Sequence, residues 1–428
     1  MTVCILGGGI IGLFCAWEAT ERGLDVILIE RGMPNGDSCS QGNAGMIVPS
    51  HFIPLAAPGM VGYGLSQLGN PESPFWVRPR LSMDLLDWGW KFMRAATKEK
   101  AERAGPLLRD LNNTSRVIYD SLADEFDNEF GLVKKGLLML TRTEHALEEE
   151  KGVAEKARAL GIPAEVLTPE EAAKLDPNVT MDIAGAVYFP NDCHLTPQKL
   201  TAALTRRLSE RGVRFVYDAT VHHLEAGNGR VAAAVLTRTS DPSLTLPKAE
   251  SFVEADQFVL AGGAWSPEIA HTIGLKLPMQ AGKGYSLTLK SPPQLPEICS
   301  IFTEARVAVT PMGQTLRVGG TMEIAGNDLS VSESRVRGIV QSVPLYYPKF
   351  KDTDFEDVKP WRGLRPCTPD GLPYIGRTSS YKNLVVATGH AMMGLSLAPV
   401  TGQLVGELLM GATPSISLAL LDPDRYAR

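Results

Sequence analysis

The apolar positions of this chain open with a strand, helix, strand rhythm. Residues 3–6 are a short apolar run, residues 10–22 carry helical spacing, and residues 26–29 form a second apolar run ending in Glu30. Between the first run and the helix lies Gly7-Gly8-Gly9-Ile10-Ile11-Gly12. A Gly-x-Gly-x-x-Gly turn between strand and helix, with an acid eighteen residues after its last glycine, is the pattern that binds a dinucleotide. Gly7 permits the tight turn, Gly9 lets backbone approach a pyrophosphate at the helix N-terminus beside Ile10 and Ile11, and Gly12 lets the helix pack on the strand. Glu30, followed by Arg31, is placed to accept from ribose hydroxyls, and Gly23 to close the helix. The fingerprint alone does not separate a flavin from a nicotinamide dinucleotide.

Further along, the periods change. Residues 51–80 are rich in Pro, Gly and aromatics and predict an irregular excursion. Residues 81–100 predict one helix whose Leu85, Leu86, Trp88, Phe92 and Met93 form a broad apolar face. Packing into the core is the expectation for that face, and a membrane-surface role is the alternative. Residues 136–140 read as a strand and 143–160 as a charged helix closed by Gly161. Thr168-Pro169-Glu170-Glu171 supplies an N-cap, a first-turn proline and a capping box. Residues 196–212 predict a helix with Leu200, Leu204 and Leu208 on one face, then a strand over 213–217. Residues 252–260 read as one strand running into Ala261-Gly262-Gly263-Ala264-Trp265, a small-residue turn where backbone can approach a ligand. The patterns over 277–289 and 307–320 predict a second, mostly antiparallel sheet. The C-terminal part combines a strand at 384–387, a turn over 389–394 and an apolar helix. The expected fold is α/β and discontinuous. A Rossmann-like dinucleotide-binding domain takes 1–50, 193–275 and 362–428, and a mostly antiparallel-sheet substrate domain takes 51–192 and 276–361.

Composition narrows the chemistry. A length of 428 residues with 44% hydrophobic positions suits two folded domains. A formal charge of −6 gives no whole-chain reason to sit on nucleic acid. Six scattered cysteines without a Cys-x-x-Cys pair, and seven histidines without metal-ligand spacing, predict no metal site. The sequence enters a strand at once with no basic leader, so a reducing cytoplasmic location is expected. The apolar stretch 383–406, free of Asp, Glu, Lys and Arg, contains Thr388, His390, Pro399, Thr401, Gln403 and four glycines. It reads as buried backbone near a ligand rather than a membrane span.

Several separate motifs then fall in a recognisable order. After Gly7-x-Gly9-x-x-Gly12 and Glu30 come Ser40-Gln41-Gly42-Asn43-Ala44-Gly45, Pro54-Leu55-Ala56-Ala57-Pro58-Gly59 and Asn191-Asp192-Cys193-His194. Lys283-Gly284-Tyr285-Ser286-Leu287-Thr288 and Arg317-Val318-Gly319-Gly320-Thr321-Met322-Glu323 follow. Last are Trp361-Arg362-Gly363-Leu364-Arg365-Pro366-Cys367-Thr368-Pro369-Asp370-Gly371 and Gly389-His390. Nearly end to end, this resembles the glycine-oxidase and D-amino-acid-oxidase superfamily of FAD enzymes, most of all the bacterial D-amino acid dehydrogenases.

That resemblance implies FAD and deamination of an amino acid by hydride transfer from Cα to flavin N5. It assigns Asn43-Ala44-Gly45 and Met46 to the isoalloxazine, Val221 to the adenine, and Ala261, Gly262, Gly263 and Trp265 to the pyrophosphate and flavin side. Gly389, His390, Met393, Gly394, Leu395 and Ser396 fall at the pyrimidine end, where a helix N-terminus would stabilise negative charge on the reduced ring. Arg365 takes the place of the arginine that grips the substrate carboxylate, Tyr285 that of a hydroxyl partner, and His51 and Arg317 are weaker candidates for the pocket. Three departures stand out. The position of a flavin-attaching cysteine falls near Gly363, so FAD is expected to be non-covalent. Met392 stands where glycine oxidase has a second arginine, and Leu395 to Gly402 look more like the glycine-oxidase turn. The implied partners are a small D-amino acid, D-proline and hydroxy-D-proline among them, and a quinone or another electron-transfer component. A peripheral seat on the cytoplasmic face of the membrane is left open. The alternatives are a glycine- or sarcosine-type oxidase using O2, and a flavin-binding subunit without turnover of its own.

Overall fold

The computed structural model describes every residue except 35, 68, 69, 71, 241–250 and 428. Its first sheet has six strands in the order Tyr374–Arg377, Leu384–Thr388, Gln257–Leu260, Thr2–Leu6, Asp25–Ile29, Arg214–Val216. Neighbours run parallel except the first pair. The near-continuous apolar run at 3–6 follows from burial on both faces. Val3 and Ile5 join a core with the helices Ile10–Glu21, Lys98–Glu125, Pro197–Glu210 and Gly394–Leu409. Cys4 and Leu6 point the other way, towards the small antiparallel sheet Ala219–Gly227, Arg230–Arg238, Phe252–Glu254.

The second sheet has nine strands. Along its main path these are Trp361–Cys367, Gln280–Leu289, Thr315–Ile324, Val307–Met312, Cys299–Phe302, Leu137–Thr141, Gly185–Phe189 and Glu165–Leu167, with Phe75–Val77 added beside Thr315–Ile324. Pairing is antiparallel except for Cys299–Phe302 with Leu137–Thr141 and Phe75–Val77 with Thr315–Ile324. A Rossmann-like, mostly parallel sheet beside a mostly antiparallel one is the fold expected from the sequence.

Local devices explain most elements. The Thr168–Glu171 capping box forms as read, with Pro169 in the first turn. Thr143 caps the helix Glu144–Ala159, which Gly161 follows in a left-handed conformation. Three expectations need correction. The helix expected over 81–100 ends at Ala95, because Thr97 accepts from the Lys100 N–H and starts the separate helix Lys98–Glu125. Its apolar positions divide: Trp88 is buried and Leu85 and Phe92 pack beside it, whereas Leu86 and Met93 are exposed. The single strand expected over 252–260 is two, Phe252–Glu254 and Gln257–Leu260, in different sheets. The domain boundary at 362 falls inside Trp361–Cys367, which pairs with Gln280–Leu289 in the nine-stranded sheet; the first sheet resumes at Tyr374. Residues 391–409 are long and apolar enough to cross a membrane, yet 67% of the qualifying window is buried inside the fold.

Candidate active site

The two large sheets enclose one continuous cavity of about 1590 Å³, running from the Gly7–Ile11 turn to Arg365. At one end, Glu30 accepts from the Gly8 and Gly32 N–H groups, both at 2.7 Å, which closes the turn around the head of the helix Ile10–Glu21. The Ile10 N–H donates to Ser40 Oγ at 2.9 Å, tying the 40–46 turn to the same helix. Gly7, Gly9, Ile10, Ile11, Glu30, Arg31 and Ser40 all line the cavity. Gly9 has open space in front of it, the nearest atom to an added Cβ being Ser40 Oγ at 3.6 Å. Val221, Ala261, Gly262, Gly263 and Trp265 line the same end, and the Arg31 guanidinium lies 3.4 Å from the Trp265 ring centroid.

The 37–46 segment is stitched to the nine-stranded sheet. Asp37 pairs with Arg362, Ser286 Oγ donates to the Gly42 carbonyl at 3.0 Å, and Arg317 Nη1 donates to the Gln41 and Asn43 carbonyls at 3.0 and 2.8 Å. This leaves Gly42, Asn43, Ala44 and Met46 on the cavity wall. Arg317 itself is buried, lies off the cavity wall and spends Nε and Nη1 on Thr288 and the 41–43 backbone, so it acts as a backbone clamp. Sequence reading missed Trp361, whose ring lies against Gly42 and Gly363 where their side chains would be. No local pattern could have paired residues so far apart.

Four of the expected cofactor residues stay off the cavity wall, and each has a structural reason. Gly12 meets the Gly7 carbonyl where its Cβ would be, and Gly45 meets the Leu195 carbonyl in the same way. Gly389 has φ +82° against Thr368, and Ser396 Oγ accepts from the Val48 N–H at 3.0 Å while donating to Asn112 Oδ1 at 2.6 Å. His390, Met393, Gly394 and Leu395 do line the cavity, so the N-terminus of the helix Gly394–Leu409 opens on it. Burial pushes the His390 imidazole down to about 3, so it is neutral; Nε2 lies 2.9 Å from Thr401 Oγ1.

At the other end, Arg365 lines the cavity with its guanidinium lying over Gly284, and Nη1 donates to the Thr321 carbonyl at 2.7 Å. The remaining donors of a planar fork suit a carboxylate. Asp370 is not its partner, being held by Arg425 through bonds of 2.8 and 3.0 Å. Tyr285 needs correction. It borders the cavity, yet its hydroxyl donates to Glu323 Oε2 at 2.7 Å and accepts from the Ser332 N–H at 3.2 Å, so it braces the sheet. His51 lines the cavity with Nδ1 3.1 Å from Ser50 Oγ, and burial lowers it to about 4, leaving it neutral. Asp192, which accepts from both the Ser50 N–H and hydroxyl, is pushed up to about 7 by burial.

The model of FAD-dependent oxidoreductases matches residues 2–408. The chain belongs to this family. It is 30% identical over 447 aligned positions to the D-amino acid dehydrogenase of Bradyrhizobium diazoefficiens, covering 100% of this chain and 99% of that protein. The solved glycine oxidase of Geobacillus kaustophilus superposes with a TM-score of 0.76 at 25% identity, covering 99% and 98% of the two chains. L-proline dehydrogenase from P. horikoshii shares the fold, with a TM-score of 0.72 at 19% identity over 100% and 98%. The flavoenzyme's cavity fits FAD. It is long, Gly9 leaves room for backbone approach, and three of its wall residues carry buried polar atoms without partners among the described residues, His390 Nδ1, Trp361 Nε1 and Thr303 Oγ1.

Two outcomes follow from this geometry. Gly284→Ala should leave the fold and flavin content intact, because the obstructing atom is the movable end of Arg365, while lowering kcat/KM about tenfold or more by displacing the guanidinium. Unchanged kinetics in that variant would show that the observed position of Arg365 is irrelevant to turnover. FAD should also be non-covalent. Cys39 is the one cysteine lining the cavity among the described residues, burial raises its thiol above the ordinary range, and Cys367 is fully buried with Sγ 3.9 Å from Met322 Sδ. Acid precipitation should leave the yellow colour in the supernatant, and colour retained by the pellet would contradict this.

Proposed function

We propose that this flavoenzyme oxidises small D-amino acids, D-proline and hydroxy-D-proline among them, to imines that water converts to 2-oxo acids and ammonia, the cyclic substrates giving cyclic imines. Its electrons then pass to a quinone or another electron-transfer component. Bound FAD supplies a hydride acceptor at N5. The observation that carries the reading is Arg365, a cavity-lining cation that among the described residues has no carboxylate partner and the Thr321 carbonyl as its one hydrogen-bond acceptor. Two parallel bonds from its fork would fix the substrate carboxylate and so the direction of Cα–H. Met46, Leu55, Tyr63, Phe75 and Met393 give the wall an apolar cast suited to small or cyclic side chains. His51 is a neutral imidazole on the cavity wall, and the burial that lowers it to about 4 makes it a hydrogen-bonding group rather than a base.

The D-amino acid dehydrogenase relative supports the substrate class, and it spans the whole chain. The test is a panel of D- and L-amino acids scored by anaerobic loss of flavin absorbance. D-enantiomers with small or cyclic apolar side chains should bleach fastest, and bleaching by L-enantiomers alone would sink the proposal. A second reading, a glycine- or sarcosine-type oxidase using O2, is favoured by the likeness to glycine oxidase. Peroxide formation in air as fast as turnover on an artificial dye would select it.

A further inference from the structure

The helix Met83–Ala95 is apolar on two faces. Leu85, Trp88 and Phe92, spaced three and four apart, pack inward with Met322, Ile324, Cys367 and Ala391, and Trp88 Nε1 donates to the Cys367 carbonyl at 2.9 Å. A second stripe runs along the outside at Met83, Leu86, Trp90 and Met93, again spaced three, four and three. Met83 is 79% exposed, Leu86 62% and Trp90 58%, and Leu81 just before the helix is fully exposed. A helix that merely covered the core would carry polar residues there.

We infer that this outer stripe seats the enzyme on an anionic lipid bilayer. The charge nearby chooses the occupant. Residues 78–103 hold seven Lys and Arg against four Asp and Glu, in a chain whose net charge is −6. Arg94 and Lys100 are exposed at and beyond the end of the stripe with no carboxylate partner among the described residues, whereas Lys91 and Lys98 pair with Asp87 and Glu102. A basic end on an exposed apolar stripe with a tryptophan suits a helix lying in the plane of an anionic interface. A second copy fits less well, because an isologous contact would bring the same basic segment against itself. Seating here also sets the cavity beside the bilayer. The inner face of the helix packs on Ala391, and Met392, the next residue, is both exposed and part of the cavity wall. An acceptor dissolved in the membrane would therefore meet the enzyme near its flavin, a consequence that rests on the proposed function, whereas the docking itself does not.

The test is flotation of the FAD-loaded full chain with vesicles of phosphatidylcholine mixed equally with phosphatidylglycerol, against vesicles of phosphatidylcholine alone. Wild type should float with the mixed vesicles at low salt and progressively less as salt rises. Leu86→Glu with Trp90→Glu should weaken flotation about tenfold or more, and Arg94→Glu with Lys98→Glu should weaken it as well, both with flavin content and dye-linked turnover unchanged. Flotation that ignores the Leu86→Glu and Trp90→Glu pair would overturn the inference, as would a wild type that never floats. A wild-type dimer that those two changes dissociate, with no vesicle binding, would assign the stripe to a second copy instead. Because flotation needs no turnover, its failure is separable from a failure of the amino acid panel.

Discussion

Arg365→Ala is expected to lower kcat/KM for D-amino acids by several kcal/mol, on the order of a thousandfold, with FAD still bound. The guanidinium lies over Gly284 and uses one nitrogen on the Thr321 carbonyl, so truncation opens space at the substrate end of the cavity without breaking a charge pair. Asp370, which might have claimed this arginine, is neutralised by Arg425. Arg365→Lys should recover only part of the loss, since an ammonium restores charge but not two parallel bonds. Amines lacking a carboxylate should be poor substrates of the wild type and lose little in the Ala variant. Turnover of D-amino acids within about tenfold of wild type would remove Arg365 from the role. Arg317 could not replace it, because all its observed bonds hold the 41–43 backbone and Thr288.

The features legible in the sequence were those fixed by near neighbours along the chain. The strand-to-helix glycine turn, the capping box at Thr168 and the left-handed glycines at 23 and 161 depend on local geometry, and each forms as read, while Glu30 is seen to accept from the Gly8 and Gly32 N–H groups. The cavity wall was harder to read because strands distant in sequence build it. Trp361 lies on Gly42, Arg365 on Gly284, and Arg317 holds Asn43, contacts that no periodicity encodes. Tyr285 shows the same limit from the other side. It borders the cavity, but Glu323 and Ser332, strand and loop partners far along the chain, take its hydroxyl. The apolar pattern at 85–93 gave a helix correctly and its environment only in part, since one helix can turn an apolar stripe to the core and another to the outside.

Gly9→Val should yield a folded but colourless protein, with FAD affinity reduced about a hundredfold or more. The contrast with Gly12 makes this specific. A Cβ on Gly12 would collide with the Gly7 carbonyl inside the strand-to-helix turn, so substitution there damages the fold itself. A Cβ on Gly9 meets nothing closer than Ser40 Oγ at 3.6 Å, and its φ of −68° is open to any L-residue. The empty protein therefore tolerates the valine, while a pyrophosphate approaching the helix N-terminus does not, because the added carbons occupy the space beside the Gly9 and Ile10 backbone. Glu30→Gln should weaken FAD more mildly. It leaves the turn's shape but replaces one of the two carboxylate oxygens that accept from Gly8 and Gly32, and with it an acceptor for ribose hydroxyls. The measurement is flavin titration followed by fluorescence quenching, with circular dichroism and thermal melting to establish that the Gly9→Val protein is folded. A folded Gly9→Val enzyme that retains full flavin would mean the dinucleotide does not approach the chain at this turn.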